Sequence, residues 1–216
     1  MKKALIFQGG WQGHTPYETS LVFKKALEEK GFQVDIIDNL DFFNEYEPIL
    51  QYDLLIPQWT MGSITGEQCS NICKAVENGV GLAGCHGGMC DAFRQNTEWQ
   101  FMTGAQWVAH PGCDGVDYTV NLTPNTFLTE GLSDFHVCSE QYYIHSDPAV
   151  KVYATTRFPT ADGPHAANGP VDVPVVFTKM WGKGRVFYNS LGHTYQIFDI
   201  PEAMELMTRG MIWAAR

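Results

Sequence analysis

Two short apolar runs constrain this chain most. Lys3-Ala4-Leu5-Ile6-Phe7 and Val80-Gly81-Leu82-Ala83-Gly84-Cys85 carry no polar residue after the leading Lys3. A strand with one face in water alternates apolar and polar residues, so runs of this kind read as strands buried on both faces. Each passes directly into a glycine-containing turn, Gln8-Gly9-Gly10-Trp11-Gln12-Gly13-His14-Thr15 after the first and His86-Gly87-Gly88 after the second. A helix is expected after each turn. The first has Thr15 as N-cap, Pro16 at its first position, an apolar stripe of Leu21, Val22, Ala26 and Leu27, and Gly31 at its end. Phe32–Ile37 and Asp53–Ile56 read as further strands, the latter stopped by Pro57. Thr65–Asn78 reads as an amphipathic helix with Ile72, Ala75 and Val76 inward and Gly79 closing it. Strands and helices alternating over short turns predict a mostly parallel sheet covered by helices.

The second half reads differently. Val116–Asn121, Phe135–Cys138, Val150–Thr155, Val173–Lys179 and Arg185–Ser190 are strand-like with no long helix between them. Gly182-Lys183-Gly184 marks a hairpin turn. Pro201–Ala215 closes the chain as a helix, and the Gly- and Pro-rich Pro159–Pro170 reads as a surface loop or lid. No composition shift divides the 216 residues, so one domain is expected.

Charge excludes several classes of partner. Lys plus Arg number 14 against 24 Asp plus Glu, a formal net charge of -10, which disfavours nucleic acid and anionic membranes. The apolar start is too short for a signal peptide, and six cysteines at 69, 73, 85, 90, 113 and 138 form no C-x-x-C pair. A cytoplasmic protein with free thiols is the expectation.

Ligands of an open parallel sheet bind beyond the carboxyl ends of its strands. Residues just past each strand are therefore the ones to weigh: Gly9 to His14, Gln58-Trp59-Thr60, Cys85-His86-Gly87 and Gly192-His193. Gly9, Gly10 and Gly13 lack the G-x-G-x-x-G spacing, so no nucleotide cofactor is expected. Ala83-Gly84-Cys85-His86-Gly87-Gly88 resembles a strand-to-helix elbow, where small residues two positions either side free the central one. Two registers fit. Cys85 at the apex presents a thiolate; His86 presents an imidazole that serves as base or metal ligand. Glu140, His110 and His193 follow strand-like runs or turns and are candidates to converge with His86. Together they suit either proton transfer on a sugar or carbonyl, or a divalent metal such as zinc held by His86, His110, Glu140 and His193. Gly10, Trp11, His14, Trp59, His110 and Tyr142 are candidate substrate contacts.

These motifs in order resemble the ThuA-like (trehalose-utilisation) family of the class I glutamine amidotransferase-like superfamily. The resemblance runs from Gly9-Gly10 and His14 through Gly79–Gly88, His110-Pro111, Glu140-Gln141-Tyr142, Pro174-Val175 and Gly182–Tyr188 to Leu191-Gly192-His193 and Trp213-Ala214. It implies a flavodoxin-like three-layer α/β/α sandwich in which one domain spans residues 1–216. It also implies a pocket for a disaccharide or keto-sugar derivative, a small-molecule partner, and a fold that often forms homodimers. Amidotransferase relatives use an elbow cysteine with a His-x-Glu pair, whereas Tyr195 stands where the acid would follow His193. Cys85 is similar to the elbow thiol of the deglycase branch, which makes Glu18 the candidate to support it. Three readings follow: a sugar-processing enzyme with a His/Glu centre, a Cys85-dependent deglycase or amidase, and a non-catalytic sugar-binding or regulatory protein.

Overall fold

A computed structural model describes residues 1–216. In chain order the strands are β1 (Lys3–Gly10), β2 (Gln33–Ile37), β3 (Leu54–Thr60), β4 (Gly81–Cys85), β5 (Ala105–Ala109), β6 (Val116–Leu122), β7 (Phe135–Ser139), β8 (Tyr143–Ser146), β9 (Lys151–Phe158), β10 (Val171–Trp181) and β11 (Gly184–Asn189). The helices are α1 (Pro16–Glu29), α2 (Gly66–Glu77), α3 (His86–Cys90), α4 (Thr97–Thr103) and α5 (Pro201–Ala214). Nine strands form one sheet in the order β2-β1-β3-β4-β11-β10-β9-β6-β7. Pairing is parallel from β2 to β11 and antiparallel from β11 to β7.

Burial explains the apolar runs. Along β1, Ala4 and Ile6 join a core cluster with Phe23 and Leu27 of α1 and Leu206 and Met211 of α5. Leu5 and Phe7, alternating with them, join a second cluster with Ile72 and Val76 of α2 and Trp99 of α4. Successive side chains of a strand point to opposite faces, so β1 needs apolar residues throughout because helices cover both sides. The result is the three-layer, flavodoxin-like sandwich that the alternating elements predict.

Several local expectations are corrected. Pro57 does not stop β3, which continues to Thr60. Pairing of β3 with β4 ends at Leu55, so Pro57 sits where the strand pairs on one side only, through Phe7, and a missing N–H is tolerated. In α1, Leu21 is exposed, and Phe23 and Leu27 make the buried stripe. Thr15 precedes α1 but does not cap it, because its hydroxyl accepts the Tyr195 backbone N–H instead, at 3.0 Å. The helix from Gly66 does have a capping box, formed by Thr65 and Gln68. The ribbon of β5 and β8 was not foreseen: both strands are short, and β5 carries a register shift between Trp107 and Ala109. No helix is long and apolar enough to cross a membrane.

Candidate functional site

The site lies beyond the carboxyl ends of β1, β3, β4 and β11, where the parallel half of the sheet delivers its loops. The turn after β4 settles which residue takes the apex. Cys85 is extended (φ -133°, ψ 157°), whereas His86 has φ 45°, the left-handed region that a histidine enters only when its surroundings hold it there. Close packing enforces the turn on both sides. A Cβ on Gly84 would stand 2.7 Å from the Met89 Cβ, and one on Gly88 3.0 Å from the Gln58 Cα. His86 is therefore the raised residue and Cys85 lies beneath it. The Tyr188 hydroxyl donates to the His86 carbonyl at 3.2 Å and steadies the turn from below.

Glu140 is the centre of the cluster. Its Oε2 lies 3.1 Å from His86 Nε2, 3.3 Å from His193 Nδ1 and 3.8 Å from His14 Nε2. Its Oε1 lies 3.9 Å from His110 Nε2. Four imidazoles from distant parts of the chain thus face one carboxylate. His14, His86 and Glu140 are buried, while His193 and His110 are partly exposed. Outer contacts fix the rings. His86 Nδ1 is 2.7 Å from the Ser190 carbonyl, and His14 Nδ1 is 2.8 Å from the Thr60 hydroxyl. Tyr142 stacks on His86 with ring centroids 3.7 Å apart, and Tyr118 donates its hydroxyl to the Glu140 carbonyl.

Burial and charge act in opposite directions here. Burial raises the Glu140 carboxyl, but His14, His193 and His86 outweigh it and hold the group well below the usual carboxylate range. Burial pushes His86 down to about 4, against the pull of Glu140, so this ring is neutral at pH 7. Glu140 raises His193, which burial opposes only in part. On its other side His193 presents Nε2 to Asp114, 3.8 Å away, in a cleft of about 380 Å³ lined also by Ser139, Thr194 and Gln196. A buried acid, a neutral imidazole and a more basic imidazole at the cleft wall can carry protons between the interior and a bound molecule.

The other candidates fall in different places. Trp11 is half exposed and edge-on to His14, with ring centroids 4.7 Å apart, at the rim of the cluster. Gly10 lies against the Thr60 backbone and fixes the path of the loop that carries His14. Trp59 packs across Gly9 and Gly62. Tyr142 is buried against His86 and supports it from behind. His110 approaches Glu140 but stands outside the tight group of His14, His86, Glu140 and His193, whose donor atoms all lie within 4.8 Å of one another.

The thiol expectation is not supported by this geometry. Cys85 has no exposed surface, and Gln58 Nε2 donates to its Sγ at 3.3 Å. Burial pushes its thiol up to about 12, the reverse of what a nucleophile needs. Glu18 is exposed on α1 and is not among the hydrogen-bond partners of Cys85. Residues that sequence reasoning passed over include Ser190 and Asp114. Ser190 follows directly on the end of β11, the one signal that pointed to it.

Comparison with solved structures finds the same fold. A ThuA-like protein from Bacteroides uniformis superposes with a TM-score of 0.76 at 21% identity, over 99% of this chain and 91% of that one. A ThuA-like protein from Parabacteroides merdae gives 0.76 at 20% identity, over 99% and 89%. A cytoplasmic protein of Salmonella typhimurium gives 0.70 at 13% identity over the whole of both chains. No curated protein matches the chain. The model of the family described as ThuA, trehalose utilisation, matches residues 3–214, and the chain belongs to that family.

Proposed function

We propose that the protein is a carbohydrate-processing enzyme acting on a disaccharide or a keto-sugar derivative, with its reaction centre at Glu140 and the surrounding imidazoles. One observation carries this reading: a single buried carboxylate faces four imidazoles beside an open cleft. A fold needs no such arrangement for stability, since buried ionisable groups cost desolvation energy. The family's description, trehalose utilisation, supports a sugar substrate, and the strongly negative chain suits a neutral sugar better than an anionic one.

In this reading His193, the more basic ring at the cleft wall, gives or takes the proton at the sugar. Glu140 stabilises it in its charged form, and Tyr118, whose hydroxyl donates to the Glu140 carbonyl, holds the acid in place. Trp11 offers a face at the rim on which a pyranose ring stacks. The experiment is a turnover screen of the wild type and Glu140→Gln against disaccharides and their keto derivatives, followed by mass spectrometry. Turnover by the wild type alone supports the reading; undiminished turnover by Glu140→Gln refutes it.

A further inference from the structure

Hydrogen bonding alone does not account for the spacing around Glu140. A carbonyl oxygen only accepts, so His86 Nδ1, 2.7 Å from the Ser190 carbonyl, carries the ring's proton. The neutral ring then turns a bare lone pair at Nε2 toward a carboxylate oxygen 3.1 Å away. Two acceptors facing each other at that distance repel. His14 is arranged alike, with Nδ1 engaged by Thr60 and Nε2 turned inward. His193 Nδ1 is buried, faces the same oxygen and makes no hydrogen bond. Imidazoles whose outer nitrogen is tied to a carbonyl or hydroxyl, and whose inner nitrogens converge on one carboxylate, are oriented as metal ligands are.

The dimensions agree. Four donors held about 2.0–2.1 Å from a tetrahedral zinc ion stand roughly 3.4 Å apart. The separations from Glu140 Oε2, at 3.1, 3.3 and 3.8 Å, bracket that value. We propose that His14, His86, His193 and Glu140 hold one divalent first-row ion, zinc foremost. Three nitrogens and one oxygen suit zinc, cobalt or iron and disfavour calcium and magnesium, which take oxygen ligands. The inference rests on the preceding reading of this cluster as the reaction centre and supplies its cofactor. Such an ion, when bound, polarises a carbonyl or hydroxyl oxygen of the sugar. His193 is then a ligand, and proton transfer at the substrate passes to His110. That ring stands outside the ligand set, with Nε2 3.9 Å from Glu140 Oε1 and Nδ1 unpartnered.

The test is elemental analysis together with cobalt spectroscopy. The full chain is stripped with chelator, exposed to Zn²⁺ or Co²⁺, and desalted. About one equivalent per chain is expected in the wild type, and Co²⁺ should give visible d–d bands of a low-coordinate site. His193→Ala and Glu140→Gln should lose most of the ion, while His145→Ala, on the exposed part of β8, should keep it. Should either ligand variant fail to fold, the wild type alone decides, because added Zn²⁺ must raise its melting temperature. A wild type that retains no ion and whose melting temperature Zn²⁺ does not raise overturns the inference. So does a folded Glu140→Gln that keeps a full equivalent. Sugar turnover undiminished in chelated protein overturns the metal but leaves the reaction centre standing. A stoichiometric ion with no sugar turnover supports the metal and counts against the carbohydrate reading.

Discussion

His86 Nε2 and Glu140 Oε2 lie 3.1 Å apart although 54 residues separate them in sequence, and both side chains are buried. The contact joins the two halves of the sheet. His86 rises from the turn after the parallel strand β4, and Glu140 follows β7 at the antiparallel edge. Tyr118 on β6, adjacent to β7, anchors the Glu140 backbone, so the acid is delivered by the sheet and not by a free loop.

Replacing Glu140 with Gln keeps the shape of the side chain and removes its charge. The raised basicity of His193 comes first from the Glu140 side chain beside it. We expect turnover to fall by about 10²- to 10⁴-fold, the usual contribution of a positioned acid or base. Far-ultraviolet circular dichroism should not change. Steady-state kinetics of the variant against the wild type make the measurement, and a fall smaller than tenfold would contradict the role assigned to Glu140.

Cys85 provides the contrasting case. Its thiol is buried beneath the elbow and raised by that burial, so Cys85→Ala should keep activity within a small factor of the wild type. The loss of packing and of the Gln58 contact should cost about 1–2 kcal/mol of stability. Iodoacetamide at neutral pH should modify Cys113 and Cys138, which are exposed, ahead of Cys85. Peptide mapping reads the order of labelling, and early modification of Cys85 with loss of activity would restore the thiol mechanism.

The layers were legible because burial on both faces leaves a mark along each strand, as in Ala4 to Phe7, and because glycines punctuate the ends. His86, Glu140 and His193 were legible as candidates for a related reason: each lies just past a strand-like run, where this architecture places ligands. What the chain does not display is the direction of a side chain in three dimensions. The elbow register turns on whether residue 85 or 86 takes the positive φ, and small residues flank both. That choice is made by Met89 and Gln58 crowding Gly84 and Gly88, contacts supplied by other elements. Tyr142 is a similar case, since an aromatic beside a candidate acid reads as a ligand contact until its ring is seen flat against His86.

Gly10→Ala tests how tightly the loop bearing His14 is held. Gly10 has φ 72°, and a Cβ there would lie 2.1 Å from the Thr60 carbonyl oxygen. That oxygen also accepts the Trp11 backbone N–H at 3.1 Å, so the end of β3 cannot move away without losing a bond. Strain and displacement together should cost about 2–4 kcal/mol. Because His14 and Thr60 form one contact of the cluster, activity should fall along with the melting temperature. Gly31→Ala is the control: its φ is 82° but nothing lies within 4 Å of the added carbon, so it should lose stability alone.

In chelator-treated protein the cluster also makes stability depend on pH in a defined direction. His86 is held at about 4 in the folded protein against about 6.5 unfolded. A lowered histidine stabilises the fold above its unfolded value and loses that contribution as pH falls toward the folded one. Over this window the loss is about 3 kcal/mol. Glu140, lowered by its imidazoles despite burial, adds to the loss below its own unfolded value of about 4.5. His193 runs the other way: raised by Glu140, it stabilises fully below about 6.5, and that contribution disappears as pH rises through its folded value. The melting temperature of the chelated protein should therefore drop steeply from pH 6.5 to 4 and decline gently on the alkaline side. His86→Asn removes the largest acid-sensitive group while tolerating the left-handed backbone, so its acid limb should be shallower. Calorimetry across this range checks both, and equal acid limbs in the two proteins would place the acid sensitivity elsewhere in the fold.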